Sequence, residues 1–427
     1  MRVGVLSQWY SPETGSAAVP GVLARSLAER GHQVQVLTGF PNYPTGKLAP
    51  GYRQRRRVDE HDGPGVAVRR VALYPSHSPS IGGRFLNYSS FALSASVSGV
   101  SVLRDVDAIW VHNSPATVGL PSLLASSRNG PPHLMHIMDL WPDSILFSGL
   151  AEGRVYDAMA RLLGAWCSVT YRSAAAIACI SQGAVDLLAQ RGVPKEKLHY
   201  IPVWTDESIY FHRPYDHELA DDLGLNDKFT LLYAGNLGGA QGLEHLLDVC
   251  DRVRDLTELQ VLIAGSGTAD LQLRRQAETM QLQNVRFLGQ WPAEDMGRLL
   301  SVSDLNLISL RNSPLSSVTM PSKLPGILAS GHAILAWASG EVARVVTESS
   351  GGIVVEPGDI AGLEQAVREA YASGKESMAH MGGKGGLYYH RHFSLNKSVD
   401  AVEGLLQIVA ESSGRRDPST RKGIFAR

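Results

Sequence analysis

Cysteine is scarce in this chain. Cys167, Cys179 and Cys250 are the only three in 427 residues, and they lack the spacing of a disulfide framework or a metal site. The expectation is a reducing, cytosolic setting and no metal-ligand set. An excess of one charge is also missing. Lys plus Arg number 40 against 41 Asp plus Glu, a formal charge of −1. That balance argues against a nucleic-acid binder built on a globally basic surface. With 44% hydrophobic residues, the chain is not a disordered one either. Long apolar runs are absent. No stretch reaches the ~18 residues needed to cross a bilayer, and the nearest, residues 91–103, is broken by serines. The apolar start at residues 3–6 is too short for the core of a secretory signal. Several enzyme signatures are missing too: G-x-G-x-x-G, the P-loop GK[ST], G-x-S-x-G and H-E-x-x-H. Nicotinamide enzymes, NTPases, elbow hydrolases and zinc hydrolases lose ground accordingly.

What is present is alternation. Residues 2–7 form a short apolar run, hence a buried strand. Residues 16–30 carry apolar side chains at helical spacing, and residues 32–38 alternate as a second strand. Strand, helix and strand within 40 residues make a βαβ unit with a parallel, right-handed crossover. Further strands are expected at 66–71, 108–112, 134–138 and 176–180, with helices at 150–172 and 182–191. Residues 41–65 read as a long loop containing the basic run Arg53, Arg55, Arg56 and Arg57.

Residues 201–214 read as a linker, after which the alternation restarts. Strands are expected at 230–233, 259–264, 285–288, 305–308, 333–336 and 352–355. Helices are expected at 243–255, 269–280, 324–330, 360–373 and 398–412, followed by a frayed basic tail. The fold class is α/β, with two doubly wound Rossmann-like domains facing across a cleft. Their bounds are 1–205 and 206–397, with 398–427 a C-terminal helix and tail that packs back on the first domain. Such sheets bind ligands beyond the carboxyl ends of their strands.

The loops at those ends hold the candidate residues. Gly15 and Ser16 lie between the first strand and helix. They suit either an anion at the helix N-terminus or a plain turn. Residues 235–242, GNLGGAQG, place four glycines directly after a strand. This loop is a phosphate cradle or a tightly packed turn. Gly265 lies in a weaker example of the same pattern. Ser322 and Lys323 open an apolar helix. A lysine there opposes the helix dipole unless it serves an anion. His112 and Asn113 end one strand and His136 and Asp139 end the next, which makes them candidates for the acceptor side and for a catalytic group.

Together these segments resemble the family 4 retaining glycosyltransferases of the GT-B fold, in the branch of bacterial amino-sugar and colanic-acid type. The resemblance runs through YSPETGSAAVPGVLARSLAERGHQVQVLTGFPNYPTG (10–46), LNYSSFALS (86–94), DLWPDS (139–144), YAGNLGGAQGLE (233–244), PSKLPGILASG (321–331), SGEVARVV (339–346) and GGIVVEPGD (351–359). It implies a nucleoside diphosphate sugar held mainly by the second domain, an acceptor held mainly by the first, and transfer with retention and without a metal. It also implies the site. Lys323 is the cationic diphosphate contact, with N–H donors from Gly238 and Gly239, and Asn236 and Gln241 stand where the family often has Arg and Lys. Leu288 and Trp291 lie near the base, and Gly15 and Ser16 approach the diphosphate from the first domain. Glu341, just beyond the next strand, suits either a ribose contact or a plain surface position. Asp139 falls where many members have a cleft histidine near the reacting sugar.

One departure stands out. The family's two glutamates, eight positions apart, correspond here to Val318 and Gly326, leaving Ser316, Ser317 and Thr319 as nearby polar substitutes. The acceptor is a lipid-linked glycan intermediate or a small natural product. In the lipid case Arg53–Arg57, Arg69 and Arg70 would meet anionic lipid at the inner face of the membrane. The alternatives are a sugar-nucleotide epimerase and a non-catalytic nucleotide-sugar-binding protein of the same fold. No nucleic-acid partner is expected, and the oligomeric state is not legible.

Overall fold

The computed structural model describes residues 1–43, 45–76, 81–127, 129–146 and 153–412. The chain divides into two compact units, Met1–Pro202 with the segment from Asn396, and Val203–Leu395. The expected start of the helix at 150 and the tail after 412 lie outside the described residues.

The N-terminal unit is an eight-stranded sheet. Its strands are β1 (Arg2–Leu6), β2 (Gln33–Gly39), β3 (Arg57–His61), β4 (Val66–Val71), β5 (Ala108–Asn113), β6 (His133–Ile137), β7 (Ala176–Cys179) and β8 (Leu198–Tyr200). The order is β3-β4-β2-β1-β5-β6-β7-β8. All neighbours are parallel except the edge pair β3 and β4. β1 and β5 are apolar and buried because helices cover both faces of a parallel sheet. The core on one face gathers Leu6, Leu37, Phe91, Leu103, Ile109 and Val111.

Two features correct the sequence expectation. First, residues 57–61 are not loop. RVDEH is a charged edge strand, and such edges carry no apolar alternation. Second, Arg69 and Arg70 do not face lipid. Arg69 forks onto Asp59 at 2.5 and 2.8 Å across the β3–β4 ladder. Arg70 is 2% exposed, donates to Glu60 at 2.5 Å and to the Gly39 carbonyl at 3.1 Å, and stacks on Tyr52. Arg53, Arg55, Arg56 and Arg57 remain exposed. Among the described residues no helix is long and apolar enough to cross a membrane.

The C-terminal unit is a six-stranded, fully parallel sheet. It holds β9 (Phe229–Ala234), β10 (Leu259–Ala264), β11 (Val285–Gly289), β12 (Leu305–Ser309), β13 (Ala333–Trp337) and β14 (Gly352–Val355), in the order β11-β10-β9-β12-β13-β14. The chain runs outward from β9 to β11 and then crosses to β12 on the other side of β9. That reversal is a topological switch point, where the two flanking loops splay apart and leave a crevice. In the N-terminal unit the same reversal falls between β1 and β5.

The helix expected to stop at 373 continues from Ile360 to His392, but it breaks at Gly374, whose φ of 76° and ψ of 170° are not helical. Helices Ile81–Ser94 and Gly340–Ser349, unassigned from sequence, complete the layers.

Candidate functional site

The crevice at the switch point of the C-terminal unit is built on Tyr233. Its ring is fully buried in β9, and its hydroxyl donates to the Asn236 carbonyl at 2.7 Å, which turns the chain sharply after the strand. Gly235 follows with φ of 149°. Lys323, the first residue of helix Lys323–Ala329, lays its ammonium 3.8 Å from the centroid of the Tyr233 ring. A Cβ at position 235 would lie 2.8 Å from that nitrogen, so only glycine lets the ammonium settle against the loop. Lys323 Nζ is shielded from solvent and has no hydrogen-bond partner, although the residue as a whole keeps some exposed surface. Burial lowers its pKa from 10.5 to about 7. The negative ring face offsets part of the lost hydration. Held this way, the charged form is costly unless an anion pairs with it.

The glycine loop is held from below. Arg311, just past β12, donates to the Gly239 carbonyl at 2.7 Å, and its backbone N–H to the Ala240 carbonyl at 2.8 Å. Its guanidinium also pairs with Glu244. Ser309 Oγ donates to the Gln241 carbonyl. Sequence reasoning missed Arg311 and Ser309. The signal was their position at the carboxyl end of a strand flanking the switch point.

Two expected ligand contacts serve the loop itself. The Gly238 N–H donates to Gln241 Oε1 at 3.1 Å, and Asn236 Nδ2 lies 3.5 Å from the same oxygen. In the free protein Gly238 and Gln241 cap each other inside the loop. Gly239, exposed, begins the single 3-10 turn Gly239–Gln241. Gly265 is a packing position: a Cβ there would sit 1.8 Å from the Gly235 carbonyl oxygen, and its N–H donates to the Gly289 carbonyl at 2.7 Å. Leu288 and Trp291 are half-buried at the end of β11, with the Trp291 indole donating to the Asp295 carbonyl at 3.3 Å. Ser322 is exposed.

Glu341 is 4% exposed and takes Arg344 at 2.6 Å, so its carboxylate is already committed inside helix Gly340–Ser349. Gly326 has a physical account. Tyr210 ring carbons lie 3.0 Å from where its Cβ would be, so an aromatic ring fills the space of a side chain there. Ser316 exchanges bonds with Ser313, and Ser317 donates to the Pro314 carbonyl.

The N-terminal unit places its candidates around its own switch point. Gly15, at φ 66°, opens the 3-10 turn Gly15–Ala18, which includes Ser16 and runs into helix Val19–Glu29. Glu13, missed from sequence, is 6% exposed and accepts the N–H groups of Tyr10, Asn42 and Tyr43 at 2.7–3.0 Å, pinning this loop to the next. Asp139 accepts the Ser114 hydroxyl. It retains exposed surface, yet desolvation still moves its carboxyl above the usual range, with the Ser114 bond opposing.

His112 and Asn113 are 3% and 2% exposed at the end of β5. His112 lies 3.4 Å from Ser7 Oγ, and burial with a contribution from His136 lowers its pKa to about 3. It is neutral at pH 7. His136 does not line a surface, which corrects its expected acceptor role. It is 0% exposed, accepts the Trp110 indole N–H at 3.3 Å and faces the Ile201 carbonyl at 3.3 Å. Its two ring nitrogens tie β6 to β5 and to the residue that follows β8. Among the described residues no three His, Cys, Asp or Glu side chains converge as metal ligands would.

Comparison with known proteins bears on the fold and the family. Residues 14–204 match the model of a glycosyl transferase 4-like domain, and residues 228–373 that of the glycosyl transferases group 1. The putative colanic acid biosynthesis glycosyl transferase WcaI of Escherichia coli K12 is 29% identical over 378 residues, 87% of this chain and 92% of that one. Among solved structures, sucrose-phosphate synthase from Thermosynechococcus elongatus superposes with a TM-score of 0.73 at 15% identity, covering 96% of this chain and 99% of that one. Anabaena HepE, solved with UDP-glucose, gives 0.68 at 16% identity over 96% and 100% of the two chains.

Proposed function

The chain belongs to the family 4 glycosyltransferases of the GT-B fold, and from that premise we propose that it moves a sugar from a nucleoside diphosphate sugar to an acceptor hydroxyl in polysaccharide assembly, with retention at the anomeric carbon. The observation that carries the reading is the buried, partnerless ammonium of Lys323 against Gly235. In the reaction the bond between the anomeric carbon and the β-phosphate oxygen breaks, and its electron pair stays on the departing diphosphate. Lys323 and the amides at the start of the Gly239 turn receive that charge. They are fixed in place beforehand, so they need no reorganisation as the charge develops. The acceptor oxygen bonds to the anomeric carbon and passes its proton to the departing β-phosphate oxygen. Asp139, held by Ser114, is a positioning group for the reacting sugar or the acceptor.

The link to polysaccharide assembly is supported by the colanic acid name of the curated relative. UDP-sugars are the first donors to test, because HepE was solved with one. A screen of nucleoside diphosphates by calorimetry, followed by release of diphosphate from the donor that binds, tests the reading. Lys323→Ala should lower turnover roughly 10²–10³-fold, the size of losing one charge-stabilising donor. Near-wild-type turnover at saturating donor would remove Lys323 from the mechanism.

A further inference from the structure

The carboxyl ends of the N-terminal sheet gather aromatic rings. Trp9 follows β1, Tyr43 follows β2 and Trp141 follows β6, while Tyr88 reaches them from helix Ile81–Ser94. The Trp9 ring lies 6.0 Å from Tyr43 and 6.4 Å from Tyr88, and Tyr88 lies 6.3 Å from Trp141. The interplanar angles are 57°, 83° and 81°, so none of these pairs stacks face to face. Core aromatics such as Tyr10 and Trp110 are fully buried, whereas Trp9, Tyr43 and Tyr88 keep accessible surface. Loops in this place are where parallel sheets hold ligands.

The polar groups of the cluster are open as well. The Trp9 indole N–H and the Tyr88 hydroxyl make no hydrogen bond among the described residues, and neither side chain is fully buried. Asp139 is exposed. Its Oδ2 accepts the Ser114 hydroxyl, and its Oδ1 has no partner among the described residues. Burial raises the Tyr88 pKa, with the charge of Arg84 opposing and that of Asp139 adding, so the phenol stands within electrostatic reach of the carboxylate.

Accessible ring faces beside one unpaired carboxylate oxygen and two unpaired donors fit one class of ligand. The C–H bonds on one face of a pyranose carry partial positive charge and rest on the negative face of an aromatic ring. Its hydroxyls both donate and accept. An alkyl chain would leave the carboxylate and both donors unpaired. A phosphate or a uronate would meet the like charge of Asp139.

We propose that this wall is the acceptor site and that the group it takes is an uncharged pyranose, with its C–H face on Trp9 and its hydroxyls between Asp139 Oδ1 and the Tyr88 hydroxyl. The inference rests on the transferase reading above and adds to it the class of acceptor. Trp9 and Tyr88 then determine which acceptors are taken.

Saturation-transfer NMR titrations on the full chain would use the methyl α-glycosides of glucose, galactose, mannose and N-acetylglucosamine, with hexyl phosphate and methyl α-glucuronide as controls. At least one methyl glycoside should bind with a Kd of roughly 1 mM, the affinity that ~0.3 kcal/mol per non-hydrogen atom gives a ligand of this size. Both controls should bind at least about tenfold more weakly. Trp9→Leu should weaken the glycoside about tenfold or more, as truncating an aromatic anchor does, and Trp9→Phe, which keeps a ring face, should recover part of the loss. Tyr88→Phe keeps the ring and should weaken it roughly threefold to tenfold, the size of one hydrogen bond. The proposal is overturned if no glycoside binds, if hexyl phosphate binds more tightly than every glycoside, or if Trp9→Leu and Tyr88→Phe both bind like wild type. Titration with UDP and GDP keeps the two readings apart. A chain that binds a nucleotide but no glycoside loses the acceptor site alone, whereas one that binds a glycoside but neither nucleotide loses the transferase reading and the acceptor role with it.

Discussion

A buried ammonium with no counter-ion destabilises the free protein, and Lys323 shows where that cost is placed. Its folded pKa is about 7, whereas the unfolded chain titrates near 10.4. Between those values the unfolded state holds more protons, so this group makes stability rise with pH from about 7 to 10. Below pH 7 both states are charged and the full penalty applies. Lys323→Met removes the buried charge and keeps the stem. It should stabilise the free protein at pH 6–7 by roughly 1–3 kcal/mol, raise the midpoint by a few degrees and flatten the slope between pH 7 and 9. Thermal unfolding at pH 6 and pH 9 reads both effects. A lower midpoint at pH 6 would mean that the ammonium is satisfied in the free protein. Gly235→Ala tests the same geometry from the other side. Its Cβ would press on the ammonium at 2.8 Å from a backbone φ of 149° that alanine resists. Nucleoside diphosphate affinity should fall about tenfold or more by calorimetry. Unchanged affinity would separate Gly235 from the site.

Elements explain which parts of the site sequence reasoning reached. The position of the glycine loop was legible because strand, glycines and helix follow one another in the chain. The roles within it were not. Whether an N–H of Gly238 points at a ligand or at Gln241 depends on a turn only three residues long, and several arrangements fit the same letters. Arg311 was illegible for a different reason: it reaches residues 239–244 from a strand more than sixty positions away, and no local pattern records a contact of that range. β3 escaped because an edge strand with one face in water and two cross-strand ion pairs carries no apolar signature. The loop therefore depends on neighbours for its shape, and that is testable. Arg311→Ala releases the Gly239 carbonyl and Glu244. The loss of folding stability should be small, because the side chain is half exposed. The loss of order in the loop should raise the Michaelis constant for the donor about tenfold with a smaller change in turnover. Equal losses in both would move Arg311 from holding the loop to meeting the reacting groups.

At the scale of the whole molecule, the last helix belongs to the first unit. After the C-terminal unit ends at Leu395, helix Leu395–Ser412 returns to the N-terminal unit. Val399, Val402, Leu406 and Val409 are buried at helical spacing. Arg30 binds Asp400 at 2.6 Å and Glu403 at 2.9 Å, and His32 meets Glu403 at 2.8 Å. Ser398 donates to the carbonyl of Pro202, the last residue of the first segment. Sequence periodicity reached the helix, and the ion pairs show why it belongs to a unit whose other residues lie nearly 200 positions earlier. Four buried aliphatic side chains contribute roughly 1.5–3 kcal/mol each, a sum comparable to the whole stability of an ordinary domain. A chain ending at Leu395 should therefore lose the cooperative unfolding of its N-terminal unit. It should keep nucleoside diphosphate affinity, because Tyr233, Lys323 and Arg311 all lie in Val203–Leu395. Glu207, which accepts the Leu395 N–H at 2.7 Å and the Tyr389 hydroxyl at 2.9 Å, stays intact in that truncation. Scanning calorimetry with and without nucleotide distinguishes the outcomes. One transition that still shifts with nucleotide fits this division of labour, whereas loss of nucleotide binding along with the helix would mean that Val203–Leu395 does not suffice for binding.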